Sequence, residues 1–327
     1  MHILFYNFLI KLFYFPYCLI IFFRKFKSKE HPKKFKEKIK INKINRPKGY
    51  LFWFHAASIG ELKTIFPVID FFLQKDTEYN FLITTVTLSS YQQFEKKYGK
   101  NKRVFHQFLP YDANFLVENF LKNWKPNIVS FVDSEIWPNF FLKIKKENLP
   151  FILLNGRITK KTFKRWKLTR NFACELFQSF DLIIASNKQT VEHLNFFKAK
   201  NIKYFGNIKF CSKEENLDVN DINQINLHEK EKVWCAVSTH SDEEILCAKV
   251  HLILKKTFSS LKTIIIPRHI NRTKDIYYSL KKMNLSVQIK NDNQNIDSSK
   301  EIILINYYGS VLKYFNKFKL IFMGKSF

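Results

Sequence analysis

With 327 residues, 46% of them hydrophobic, the chain has the length for two domains and the apolar content for packed cores, which excludes global disorder. Its 55 Lys and Arg against 28 Asp and Glu leave a net charge of +27. That balance points to an anionic partner, although a Lys-, Asn-, Ile- and Phe-rich composition of the AT-rich-coding kind contributes to it. Seven glycines and no Gly-rich loop exclude a dinucleotide fingerprint; five scattered cysteines without C-x-x-C pairs exclude a zinc ribbon and fit reduced thiols in a cytosolic compartment.

The first element is apolar from Ile3 to Phe23, interrupted by Asn7, Lys11 and Pro16. The stretch is long enough to span a bilayer as a helix. Lys11 and Pro16 equally admit a helix lying in the interface. Arg24, Lys25, Lys27, Lys29, Lys33, Lys34, Lys36, Lys38 and Lys40 follow, which places that flank on the cytoplasmic side. Such a cluster favours anionic lipid by about 1 kcal/mol per near-surface cation. No charge precedes the apolar run and no A-x-A site follows it, so it does not read as a cleaved signal peptide.

From Tyr50 onward short apolar runs alternate with helical patterns. Strands are predicted at Leu51–Phe54, Phe81–Val86, Val104–Phe108, Ile128–Val132, Phe151–Leu154 and Leu182–Ala185. Helices fall between them, for example over Asp112–Trp124 and Trp137–Asn148. A polar stretch from about Phe210 to Lys232 interrupts the rhythm and reads as a linker. Strands resume at Val233–Val237, Lys262–Ile266, Val287–Ile289, Ile302–Ile305 and Leu320–Met323. The pattern predicts an α/β protein with two parallel, helix-covered sheets: an anchor at 1–23, a first domain at 24–209 and a second at 210–327.

Chemistry-bearing residues gather where these strands end, which is where open α/β sheets bind ligands. His55-Ala56-Ala57-Ser58-Ile59-Gly60-Glu61 comes first. Its small residues permit close approach, and a helix N-terminus favours the ionised form of Glu61, as a general base requires. The plainer alternative is an acid serving a helix's first turn. Then come Thr84-Thr85-Val86-Thr87, Leu109-Pro110-Tyr111-Asp112, Asp133-Ser134-Glu135-Ile136-Trp137-Pro138-Asn139, Asn155-Gly156-Arg157 and Gly206-Asn207-Ile208-Lys209-Phe210. The second domain adds Ser238-Thr239-His240-Ser241-Asp242-Glu243-Glu244 and Pro267-Arg268-His269. Arg268 is suited to a phosphate. Glu243 and Glu244 read as helix first-turn residues, Trp137 and Pro138 as packing and helix-start residues.

In this order the clusters resemble the Kdo transferases, which attach 3-deoxy-D-manno-octulosonic acid (Kdo) to a lipid A precursor. HAASIGE, LPYD, acid-x-Glu-x-WPN, NGR, GNIKF, STHSDEE and PRH are colinear with the family pattern. The resemblance implies a GT-B fold, two Rossmann-like domains facing a cleft, anchored at the cytoplasmic face of the inner membrane. It implies CMP-Kdo as donor, lipid A precursor as acceptor, and no metal or other cofactor. It makes Glu61 the proton acceptor and Asp133 and Lys209 the transition-state stabilisers. It gives Pro267, Arg268, Gly309, Ser310 and Val311 to CMP, with Ser238, Thr239 and His240 beside them. His55, Ser58, Glu135 and Arg157 are acceptor-side candidates.

Three positions depart from the pattern. Asp133 stands for the usual glutamate, Ser310 follows Gly309 where glutamate is usual, and Lys325 interrupts a Gly-Gly-Ser. A methylene's difference in reach matters, because a shift of about 1 Å in a catalytic group costs on the order of 100-fold. The pattern also continues beyond Phe327, so the second domain is expected to be incomplete, and an inactive, membrane-bound lipid-binding remnant is the alternative reading. Nucleic acid is not an expected partner, since no basic face with interleaved aromatics or known module is legible.

Overall fold

The computed structural model of the chain describes residues 2–41, 44, 46–75, 78–208, 232–292, 294–307, 318 and 320–325. The chain forms two compact units, Met1–Lys213 and Glu214–Phe327.

The first unit is built on a seven-stranded parallel sheet in the order β3-β2-β1-β4-β5-β6-β7. The strands are β1 Tyr50–His55, β2 Tyr79–Thr85, β3 Val104–Phe108, β4 Ile128–Val132, β5 Phe151–Gly156, β6 Leu182–Ala185 and β7 Ile202–Tyr204. Alternate residues of β1 serve the two faces. Trp53 joins a core with Phe131, Phe140 and Phe151, whereas Phe54 joins another with Leu62, Ile65 and Phe81. Helices α2 (Ile59–Lys75) and α3 (Leu88–Tyr98) cover the second face; α4 (Asn114–Trp124), α5 (Pro138–Lys146) and α7 (Arg170–Phe177) cover the first. Helices α6 (Lys160–Lys167) and α8 (Lys188–Phe196) complete the unit. Strand β7 was not foreseen. It is a three-residue edge strand with two exposed positions, so it carries no apolar run.

Helix α1 (His2–Phe26) has a mean hydropathy of 1.6 over its most apolar window and length enough to cross a membrane. One side docks on the first unit. The Tyr6 hydroxyl donates to Asp112 Oδ2 (2.7 Å), that of Tyr14 donates to the Ile39 carbonyl (2.6 Å), and Tyr17 stacks on Tyr111 at 4.4 Å. Ile21 is buried against Phe35 and Ile39. The other side leaves Leu4, Phe5, Phe8, Leu12, Phe15 and Phe23 exposed.

The second unit holds a five-stranded parallel sheet ordered β10-β11-β9-β8-β12. Its strands are β8 Val233–Thr239, β9 Lys262–Pro267, β10 Val287–Lys290, β11 Ile302–Ile305 and β12 Ile321–Met323. Helices α9 (Glu243–Lys255) and α10 (Thr273–Lys281) lie among them. The first sheet carries helices on both faces, and in the second the two described helices pack on one face, so the α/β class and the two parallel Rossmann-like sheets expected of a GT-B protein are present. The polar stretch read as a linker lies outside the described residues as far as 231.

Candidate active site

Strand order locates the site in each unit. In the first sheet the winding reverses between β1 and β4, which pair in parallel with His55 opposite Phe131. A crevice opens beyond the carboxyl ends of strands at such a reversal. Two segments leave the sheet there: 56–61 after β1 and 133–137 after β4.

Glu61 stands in the first turn of α2, half-buried. Its Oε2 accepts from the Ala57 amide at 2.7 Å and, at a longer 3.4 Å, from the Ser58 amide. Ser58 Oγ in turn accepts the Glu61 amide at 3.4 Å. This is a loose capping box, and S-x-x-E is its sequence signature. The helix-turn role and the proposed base role therefore fall on the same side chain. Burial, and next the charge of Glu135, raise the Glu61 carboxyl above the usual carboxylate range, against these hydrogen bonds. A carboxylate of heightened proton affinity is the result.

Asp133 has a left-handed backbone (φ 64°) and is 8% exposed. Its amide donates to Leu154 O (3.0 Å) and its carbonyl accepts from the Arg157 amide (3.1 Å), which ties the β4 and β5 exits together. Glu135 is partly exposed and accepts from the Trp137 indole at 3.1 Å. Burial opposes its ionisation, but His55 and Trp137 outweigh that effect and hold it below the usual range.

His55, an acceptor-side candidate whose alternative was a structural hydrogen-bonder, is corrected to the latter: it is fully buried, flanked by the rings of Phe131 (4.7 Å) and Trp137 (6.0 Å). It reaches the crevice only through Glu135, with Nε2 at 4.0 Å from Oε2. Trp137 and Pro138 pack and start α5, as expected, with Pro138 at the first helical position. Arg157 is exposed and lines a groove of about 500 Å³ with Asn155, Ser186, Asn187 and Tyr204. Lys209 lies outside the described residues.

In the second unit the winding reverses between β8 and β12. There the Ser238 backbone is left-handed (φ 56°), and the Gly324 amide donates to Val237 O at 2.8 Å. A Cβ on Gly324 would stand 2.3 Å from the Ser238 carbonyl oxygen, so only glycine fits. Glu243 accepts from the His240 amide (2.7 Å) and the Lys325 amide (2.8 Å), clamping the two strand exits. Glu244, 2% exposed, accepts from the Thr239 hydroxyl (2.9 Å) and from both terminal nitrogens of Arg272 (3.1 Å each). Both glutamates thus serve the helix start.

Two donor-side expectations are corrected here. Thr239 is fully buried with its hydroxyl committed to Glu244, and Pro267 is buried at the end of β9, so both shape the loop rather than meet a ligand by side chain. Arg268 is exposed, its amide donating to Thr239 O at 3.0 Å, and His240 and His269 meet edge-on at 6.3 Å. Gly309, Ser310 and Val311 lie outside the described residues. Arg272 was missed, since nothing in its local sequence marks it. Among the described residues no three His, Cys, Asp or Glu side chains are grouped to hold a metal ion.

Comparison with known proteins bears on the family and the fold. Residues 29–212 match the family model for 3-deoxy-D-manno-octulosonic-acid transferase (kdotransferase). A 3-deoxy-D-manno-octulosonic acid transferase of Rickettsia bellii is 30% identical over 95% of this chain and 74% of its own length. That of Rickettsia typhi is 31% identical over 85% of this chain and 60% of its own. The Haemophilus influenzae transferase is 24% identical over 86% of this chain and 66% of its own. The chain thus spans less than two thirds of the length of two of these three relatives. Among solved structures, UDP-GlcNAc 2-epimerase from Neisseria meningitidis superposes with a TM-score of 0.57 at 14% identity, covering 84% of this chain and 77% of that one. At that identity the likeness is one of fold.

Proposed function

The chain belongs to the 3-deoxy-D-manno-octulosonic acid transferase family, and from that premise we propose that it transfers Kdo from CMP-Kdo to a lipid A precursor, with Glu61 as general base. The observation that carries the reading is the place of Glu61. It sits half-buried at the winding reversal of the first sheet, its carboxyl raised above the usual range by burial and by Glu135. The Glu61 carboxylate takes the proton of an acceptor hydroxyl. The hydroxyl oxygen then bonds to the anomeric carbon of Kdo, and the bond from that carbon to CMP breaks, its electron pair leaving with CMP. Asp133 and Lys209 are proposed to stabilise the transition state, and Arg268 to hold the donor phosphate. Gly309, Ser310 and Val311 belong to the donor side in the same reading. No metal or other cofactor takes part in it.

The acceptor is a lipid, and α1 suits a place at the cytoplasmic face of the inner membrane. Its docked side is spent on the first unit through Tyr6, Tyr14 and Tyr17, while its large apolar side chains face outward. A helix held along the folded unit in this way favours lying in the interface over crossing the bilayer, with the cations from Arg24 onward meeting anionic lipid.

Membranes carrying the chain, given CMP-Kdo and lipid A precursor, are expected to yield Kdo-modified lipid. Glu61→Ala is expected to lower kcat by at least about 100-fold, the low end of a general base's contribution. Undiminished turnover in that variant removes Glu61 from its role, and no product from the parent chain defeats the activity.

A further inference from the structure

Behind the two carboxylates of the first unit stands a fully buried imidazole whose Nε2 has no hydrogen-bond partner. Its other nitrogen reveals where the proton sits. The Trp53 indole can only donate, so at 2.9 Å it occupies a lone pair of Thr84 Oγ1. We assign the Thr84 hydroxyl proton to His55 Nδ1 at 3.0 Å rather than to the Phe54 carbonyl at 3.5 Å, because this tautomer turns an N–H rather than a lone pair toward Glu135. With Nδ1 accepting, the ring proton lies on Nε2, an assignment made from the network. Nε2 faces Glu135 Oε2 at 4.0 Å, an electrostatic contact longer than a hydrogen bond. The Trp137 indole donates to the same oxygen at 3.1 Å.

We propose that the Trp53–Thr84–His55 chain holds Glu135 as an ionised second carboxylate beside Glu61, and that Glu135 is a positioning residue of the sugar transfer, acting through Glu61.

The inference rests on Glu61 being the base. Two carboxylates sharing a site do not ionise equally, and the one whose surroundings favour the charged form less keeps its proton longer. Glu135 has the N–H groups of His55 and Trp137, which together outweigh its burial. Glu61 is raised first by burial and then by Glu135. A carboxylate so placed takes a hydroxyl proton more readily, provided that it is ionised at the working pH. Among the described residues the titratable groups acting on Glu61 are Glu135, from the β4 exit, and His55, from β1. Helix α3, packed on α2, contributes hydroxyls at this end, with Ser90 Oγ donating to Ala57 O at 3.3 Å.

The test is the pH dependence of kcat/KM in the full chain in membranes. Glu135→Gln removes the neighbouring charge, so Glu61 loses its proton more easily. The acidic limb is expected to move to lower pH by roughly 0.5–1 unit, while the plateau falls by roughly 3–10-fold as the base weakens. Glu135→Asp keeps the charge, and its limb stays near the parent's. His55→Ala moves the limb as Glu135→Gln does, and the double variant moves it no further. An acidic limb that stays put in Glu135→Gln, whatever happens to the plateau, overturns the proposal. A readout without turnover is the infrared carboxyl band of Glu61, isolated by subtracting Glu61→Gln, in the parent and in the Glu135→Gln background. Its titration midpoint is expected to drop when Glu135 is neutral, and an unmoved midpoint overturns the proposal even in a chain that transfers nothing. Absence of product from the parent at every pH bears instead on the proposed function.

Discussion

Asp112 joins three elements through one carboxylate. Its Oδ2 accepts the Tyr6 hydroxyl of α1 (2.7 Å) and the Asn139 amide (3.0 Å), and its Oδ1 accepts the Phe140 amide (3.1 Å). The Asn139 side-chain amide returns a bond to the Asp112 carbonyl at 2.5 Å. It thus caps α5 from a distance, satisfying amides that Trp137 at the helix start cannot. Burial dominates these bonds and pushes its carboxyl up to about 7 from the ordinary 3.8. The sign follows directly. The folded chain binds this proton below about pH 7 and the unfolded chain only below about 3.8, so acidification between those values stabilises the fold. From pH 8 to pH 6 the contribution is about 1.4 kcal/mol, one pKa unit's worth. Denaturation of the parent in detergent is expected to show that gain, and Asp112→Asn to lack it. Equal pH slopes in the two proteins refute the assignment. LPYD was legible as a motif, but not that its acid serves as a tether, because Tyr6 and Phe140 lie far from it along the chain.

At the scale of elements, what the sequence disclosed was local. Val104–Phe108, Ile128–Val132, Leu182–Ala185 and Ile302–Ile305 coincide with their strands, since in a covered parallel sheet each strand is a continuous apolar run between turn residues. The strand-to-helix handover at His55–Glu61 was legible for the same reason. The burial of His55 was not, because Thr84 reaches it only through the pairing of β1 with β2. Nor was the Glu243 clamp, which needs β12 beside β8. That junction yields a prediction. A methyl group on residue 324 meets the Ser238 carbonyl as well as the Glu243 carboxylate, and because the backbone contact is the shorter, the exits of β8 and β12 must part to admit it. Gly324→Ala is expected to destabilise the second unit by about 1–3 kcal/mol, the usual cost of overpacking. It is also expected to weaken CMP binding through the displaced Ser238 and His240 loop. Calorimetric titration with CMP checks this, and parent-like affinity and stability in Gly324→Ala contradict the close contact.

For the molecule as a whole, the +27 charge and α1 are expected to make separable contributions to the proposed membrane binding. The apolar one comes from side chains such as Phe5, Phe8 and Leu12, which are 63%, 62% and 56% exposed on the protein itself. Covering each with lipid contributes up to about 1.5–3 kcal/mol, and salt does not screen it. The electrostatic part comes from the cations at 24–40 and from α6, whose Lys160, Lys161, Lys164, Arg165 and Lys167 lie on a helix without a buried residue. It requires anionic lipid and decays over a Debye length of about 8 Å at physiological ionic strength. Replacing Phe5, Phe8 and Leu12 with serine is therefore expected to lower partitioning onto neutral vesicles by at least about 100-fold, leaving the folded unit intact because these exposed side chains belong to none of its buried apolar clusters. The same variant keeps a residual affinity for anionic vesicles, and raising salt from 0.1 to about 0.5 M abolishes it. The parent loses only part of its anionic-vesicle binding over that range. Flotation of both proteins with the two vesicle types reads out all four cases. Salt-resistant binding of the triple variant, or neutral-vesicle binding equal to the parent's, shows that the exposed side of α1 is not what holds the chain to lipid.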